Sequence, residues 1–169
     1  MSAVPAIAFE GVDKTFPASR LHPAVQAARS VSFAIQAGEV VSIIGPSGCG
    51  KSTLLNMGSG LAPPSAGVVK VMGVPVQGPN TQVAFMLQKD LLLPWRTISQ
   101  NVEFGLELRG VAQAQRREKS EQLLQQFRLN GFGNNYPHQL SGGMRQRAAL
   151  ARTLAVDPSV LLMDEPFSA

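Results

Sequence analysis

Cysteine is nearly absent from this sequence: 169 residues contain only Cys49. An internal disulfide is therefore impossible, which fits a reducing compartment, and a metal cluster built on several thiolates is excluded. Aromatic residues make up 6% and charged residues 15%. So few aromatics argue against a platform on which nucleic-acid bases stack. So few charges, in a chain that is 44% hydrophobic, argue against a disordered segment and for one domain with a real core. No run approaches the roughly 18 uninterrupted apolar residues of a membrane span. The start, Met1-Ser2-Ala3-Val4-Pro5, has no basic stretch leading into an apolar one, so neither a span nor a secretory leader is expected. The net charge of +4 comes from basic residues scattered along the chain, as on a solvated surface.

What the sequence does contain is a succession of β and then helical patterns. Ile7 and Phe9, then Val31, Phe33 and Ile35, alternate as half-buried strands do. After a turn at Gln36-Ala37-Gly38, Val40-Val41-Ser42-Ile43-Ile44 reads as a strand buried on both faces of a parallel sheet. A helix is expected over residues 52–57, broken by the glycine-rich stretch from Gly58 to Pro64, with short strands at 68–72, 74–76 and 83–87. The glycines in Met57-Gly58-Ser59-Gly60 should loosen the packing behind that helix. Thr97 can cap a helix to about Arg109, and a second should span 112–129 with Leu123, Leu124 and Phe127 as its apolar stripe. Ser141 can cap a third to about Val156, and residues 160–163 read as a buried strand.

Three motifs carry chemistry. Gly45-Pro46-Ser47-Gly48-Cys49-Gly50-Lys51-Ser52, followed by Thr53, fits the pattern G-x-x-x-x-G-K-S/T between a strand and a helix. Its glycines let backbone N–H groups converge on phosphate oxygens at a helix N-terminus, Lys51 adds a point charge, and Ser52 offers Mg²⁺ a hydroxyl. The implied ligand is ATP with Mg²⁺. Asp164 and Glu165 follow the apolar strand 160–163, at the strand end where α/β sheets bind ligands. Asp164 would hold Mg²⁺, and Glu165 would orient or deprotonate the attacking water. Ser141, Gly142 and Gly143 form a second anion-binding helix start, which could serve a nucleotide held by another copy.

With Gln88 in Phe85-Met86-Leu87-Gln88-Lys89-Asp90, these motifs stand in the order seen in ATP-binding cassette ATPases. The sequence resembles that family in its Walker A loop, its Q-loop glutamine, its signature Leu140-Ser141-Gly142-Gly143 and its Walker B strand ending Met163-Asp164-Glu165-Pro166. The resemblance implies an α/β P-loop NTPase with a mainly parallel core sheet, an N-terminal antiparallel β subdomain and a helical subdomain bearing the signature. It divides one domain, 1–169, into a β subdomain and P-loop core (1–88), a Q-loop and helical subdomain (89–156), and the Walker B strand with the start of the D-loop (157–169). It further implies that Ser141, Gly142 and Gly143 complete the ATP site of a partner subunit in a head-to-tail homodimer. Gln88 would touch Mg²⁺ and the attacking water, making Gln88 and Glu165 the catalytic pair. Phe16 stands where the family has an aromatic that stacks on adenine, with ordinary strand packing as the alternative.

Leu91-Leu92-Leu93-Pro94-Trp95-Arg96-Thr97, with Asn101-Val102 and Gly105-Leu106-Glu107-Leu108-Arg109-Gly110, is similar to the importers of nitrate, sulfonates and taurine. Trp95 would either fill a core groove or form a site for the membrane subunit. The implied protein is an ATP-hydrolysing importer subunit, cytoplasmic and peripheral on the inner face of the membrane, working with permease subunits and a solute-binding protein. The other readings are a non-catalytic nucleotide-binding fragment and a cassette ATPase acting on nucleic acid, although no nucleic-acid partner is expected. The sequence stops at Phe167-Ser168-Ala169, inside the D-loop of the family pattern. Neither His22 nor His138 can replace the family's switch histidine, since both precede the Walker B strand. A core strand expected between the Walker A and Walker B strands is likewise missing. The 169 residues alone are therefore expected to be aggregation-prone or partly open and to lack steady-state ATPase activity.

Overall fold

A computed structural model of the chain describes residues 4–18 and 23–166. His22 and the D-loop start at 167–169 lie outside the described residues. The chain divides into two compact units, residues 1–83 with 159–164, and residues 84–158 with 165–169.

The first unit is built on an antiparallel sheet of order β2-β1-β3-β4, with β1 Ile7–Phe16, β2 Val25–Ile35, β3 Ala66–Val71 and β4 Val74–Pro75. This matches the expected N-terminal β subdomain. Phe9 sits opposite both Phe33 and Val69, and its ring stacks on Phe33 at a centroid distance of 4.6 Å. Ile7, Phe9, Val12, Val69 and Val71 are buried, each contributing about 1.5–3 kcal/mol. Helix α1, Lys51–Ser59, belongs to this unit and ends at Gly60 in the left-handed region (φ 79°).

The glycines near the end of α1 correct the expectation of loose packing. A Cβ on Gly58 would lie 3.2 Å from both Ile7 Cδ1 and Leu162 Cδ1 and 3.4 Å from Phe9 Cζ. The absent side chain lets the helix backbone approach the apolar side chains of β1 and of β6, Val160–Met163. Tight packing, and not slack, is the reason for glycine here. The N–H groups of Ser159 and Val160, leading into β6, both donate to the carbonyl of Gln82.

A second correction concerns residues 40–44. They form no strand, and Val40 and Ile44 are 95% and 93% exposed. A continuous apolar run is a buried strand only when strands on both sides supply hydrogen bonds and cover. Among the described residues no strand pairs with it.

The second unit begins with β5, Val83–Met86, which enters it at Ala84, and is otherwise helical: α2 Ile98–Leu108, α3 Gln113–Gln126 and α4 Gly142–Leu154, with a short 3-10 turn at Pro137–Gln139. Thr97 caps α2 as expected, within a reciprocal capping box with Gln100. Helix α3 is shorter at both ends than the pattern predicted; the backbone turns left-handed at Arg128 (φ 56°), which closes it. Leu123 and Leu124 of its stripe are buried with Ile98, Val102, Leu129, Leu140 and the alanines of α4, and Phe127 packs against that core.

Candidate nucleotide site

The loop from Gly45 to Ser52 has the shape its glycines permit. Gly48 and Gly50 lie at φ 82° and 98°, in the left-handed region. A Cβ on Gly50 would fall 2.2 Å from the carbonyl oxygen of Ala27, so no other residue fits. Gly50 is also the N-cap of α1, with no side-chain cap and no acidic residue in the first turn. The N–H groups of that turn and the positive end of the helix dipole therefore have no anion of the chain's own. Lys51 Nζ folds back to donate to the carbonyls of Gly45 (2.8 Å) and Pro46 (3.0 Å) and lies 3.9 Å from Cys49 Sγ. Pro46, Ser47 and Ser52 are exposed, while Thr53 is half-buried on the helix. The whole is a cradle of N–H donors and one ammonium group, built to take a polyphosphate.

The acidic residues take different positions. Asp164, after β6, is only 9% exposed. Glu165 is exposed and held at φ 46°, a conformation that costs a non-glycine residue energy and turns the chain sharply. Gln88 Nε2 donates to Glu165 Oε2 at 3.0 Å, so the two residues expected to act on the attacking water do meet. The Ser52 hydroxyl, the Asp164 carboxylate and the Gln88 amide are hard oxygen donors of the kind Mg²⁺ takes. No group of three or more His, Cys, Asp or Glu residues able to hold a metal occurs among the described residues.

At the signature turn, Ser141 Oγ accepts from the Met144 N–H at 3.4 Å and caps α4. A Cβ on Gly143 would meet nothing within 4 Å, and one on Gly142 only the tip of Arg145 at 4.0 Å. The chain's own packing therefore gives no reason for two glycines here. Phe16 is 45% exposed, with Lys14 Nζ 5.3 Å from its ring centroid, so β1 does not bury it. Trp95 is 72% exposed and does not fill a core groove. His138 is exposed and stacks on Tyr136, a surface role.

Asn101, which the sequence marks only as part of the importer-like segment, has a structural role. Asn101 is completely buried; its side chain donates to the carbonyls of Leu93, Arg96 and Thr97 and accepts from the Leu93 N–H. It fixes the loop that presents Trp95. A lone asparagine on an otherwise apolar helix face, next to Val102, was the available signal.

The family model described as ABC transporter matches residues 28–168. The chain belongs to the ABC transporter family. This member is 50% identical over 147 residues to the taurine import ATP-binding protein TauB of Yersinia pestis bv. Antiqua, covering 87% of this chain and 56% of that protein. It is 46% identical over 145 residues to the uncharacterized ABC transporter ATP-binding protein MJ0412 of Methanocaldococcus jannaschii, covering 86% of this chain and 54% of that one. The chain thus spans about half the length of the curated relatives it matches. Among solved structures, the dimeric post-hydrolysis ATP-binding cassette MJ0796 bound to ADP and Pi superposes with a TM-score of 0.87 at 34% identity. That alignment covers 96% of this chain and 75% of that one. The fold is that of an ABC ATPase cassette.

Proposed function

We propose that this chain is the nucleotide-binding part of an ATP-hydrolysing subunit that energises import of a small solute. The observation that carries the reading is the uncapped start of α1, with Gly48 and Gly50 left-handed and Lys51 lying against its own loop. Gly45 to Thr53 would bind the phosphates of ATP, and Phe16, exposed on one face, would take the adenine. Ser52, Asp164 and Gln88 would hold Mg²⁺, which, when bound, draws charge off the phosphate oxygens. Glu165, hydrogen-bonded by Gln88, would orient and deprotonate water. Ser141, the cap of α4, with Gly142 and Gly143, whose missing side chains the described packing does not require, would meet the ATP of a second copy in a head-to-tail dimer.

Likeness to a taurine import protein supports an aminosulfonate or a related small anion as the cargo. The exposed Trp95 suits a permease contact, since an aromatic held rigid in solvent costs little further entropy when a partner covers it. No helix among the described residues is long and apolar enough to cross a membrane. Likeness to an import ATP-binding protein supports a peripheral place at the cytoplasmic face, beside permease subunits and a solute-binding protein.

The test is MgATP binding by the chain and by its Lys51→Ala variant, read with a fluorescent nucleotide. Binding by the parent, lost in the variant, is expected; equal binding by both would sink the reading. Alkylation of Cys49 should block binding, and MgATP should shield the thiol, which is exposed within the loop. In the whole subunit, Glu165→Gln should retain MgATP and stop turnover.

A further inference from the structure

The end of β1 is tied to both ends of α1. On one side the tie runs through β2: Gly50, the N-cap of α1, lies against the carbonyl of Ala27, whose neighbours Ala28 and Gln26 sit opposite Lys14 and Thr15. Phe16 follows, opposite Val25. On the other side the segment behind α1 holds the strand. The Leu61 and Ala62 N–H groups donate to the Asn56 carbonyl of α1 at 3.0 and 3.2 Å. The Ser65 N–H then donates to the Asp13 carbonyl at 2.8 Å, and Ser65 Oγ accepts from the Thr15 N–H at 3.0 Å. Lys14 joins this clasp. Its Nζ donates to the Pro63 carbonyl at 2.6 Å and stands over the Phe16 ring, 5.3 Å from the centroid.

Among the described residues Lys14 enters no ion pair, so its charge is directed at a carbonyl and a ring. An ammonium group is drawn to the negative face of an aromatic ring, and while it lies there that face is closed to a flat ligand. The other face stays open, since the Phe16 side chain is half in solvent. A cation on one face also eases the repulsion between the ring's π electrons and those of a base stacked on the other. We infer that Lys14 is a positioning residue for the nucleotide base: it fixes the Phe16 ring relative to the phosphate cradle and reserves one face for stacking. Its effect falls on the base and not on the phosphates, because its ammonium is bonded away to Pro63. The inference rests on the proposed function for the base at Phe16 and goes beyond it in naming the residue that sets the ring.

The measurement is calorimetric titration of the chain with MgATP and, separately, with magnesium tripolyphosphate, which has the phosphates and no base. Lys14→Met keeps an unbranched stem and removes the ammonium. It should weaken MgATP about three-fold and leave tripolyphosphate unchanged. Lys14→Arg, which keeps a cation able to lie over the ring, should return MgATP to the parent affinity. Phe16→Ala should weaken MgATP about ten-fold, and in that background Lys14→Met should cost nothing more. A lysine that merely supports the strand would lower the affinity for both ligands together. That result, or an equal loss of MgATP with and without the Phe16 ring, would overturn the inference. Binding that needs Lys51 and ignores Lys14 would remove this inference and leave the proposed function standing. A parent that binds neither ligand would remove both.

Discussion

Two helices of this chain begin at glycine-rich turns proposed to bind anions, and they are built in opposite ways. Helix α1 starts at Gly50 with no side-chain cap, after an exposed apolar stretch that pairs with no described strand. Helix α4 starts at Ser141, which caps it, and the helix behind is locked into a buried core by Ala148, Ala149, Ala151 and Ala155. The first start has no side-chain cap and no acidic residue in its first turn. The second is complete within the chain, and its glycines are spare. In the proposed function the first would receive its ligand in a loop shaped to wrap it, and the second would present a finished surface.

The comparison breaks most readily at Gly50. Gly50→Ala places a Cβ against the backbone carbonyl of Ala27 in a left-handed conformation, so about 3 kcal/mol of local distortion is expected. MgATP titration should show affinity falling about 100-fold, with the core around α4 untouched. Next in size, Asn101→Ala should strike the α4 side of the molecule. It removes four hydrogen bonds and strands buried loop groups, costing about 2–3 kcal/mol in denaturant unfolding while leaving the α1 loop able to bind. Ser141→Ala should cost about 0.5–1 kcal/mol, at the low end for a cap because the bond to Met144 is long. A loss several times larger would mean that the second start is less self-sufficient than it looks.

The smallest effect should come from pH. A hydrogen bond and charge from Arg96 hold the Glu107 carboxyl below its ordinary value of 4.5. Because the folded value is depressed, the contribution is complete above the ordinary value and is lost as pH falls through the lower folded one. The pair is exposed and worth little. Thermal midpoints of the parent and Glu107→Gln should differ slightly at about pH 7 and converge by about pH 3.

Signals confined to a few neighbouring residues were legible in the sequence. The glycine loop and the serine and threonine caps follow from local stereochemistry and stand where the residues put them, whereas the antiparallel pairing of the N-terminal strands was implied by the family resemblance. Features that depend on distant residues were not. The apolar run at 40–44 records what the segment could be buried by, and cannot say whether partner strands exist. Gly58 read as slack because its neighbours Ile7 and Leu162 are about 50 and 100 residues away. Arg145 and Arg152 read as ordinary surface charge, since nothing near them in sequence announces Asp90, whose carboxylate and carbonyl they bind. Gln88 and Glu165 were linked by analogy with a family before their hydrogen bond was on view.

The asparagine-braced loop has a practical consequence. The chain has a single tryptophan, and its indole stands 72% in solvent on a backbone that Asn101 holds still. Excited beyond the absorption of its one tyrosine, Tyr136, the molecule therefore fluoresces from one known place. Its emission should be red and readily quenched by acrylamide in the isolated chain. A shift to the blue would register the arrival of a partner at that loop without any added dye.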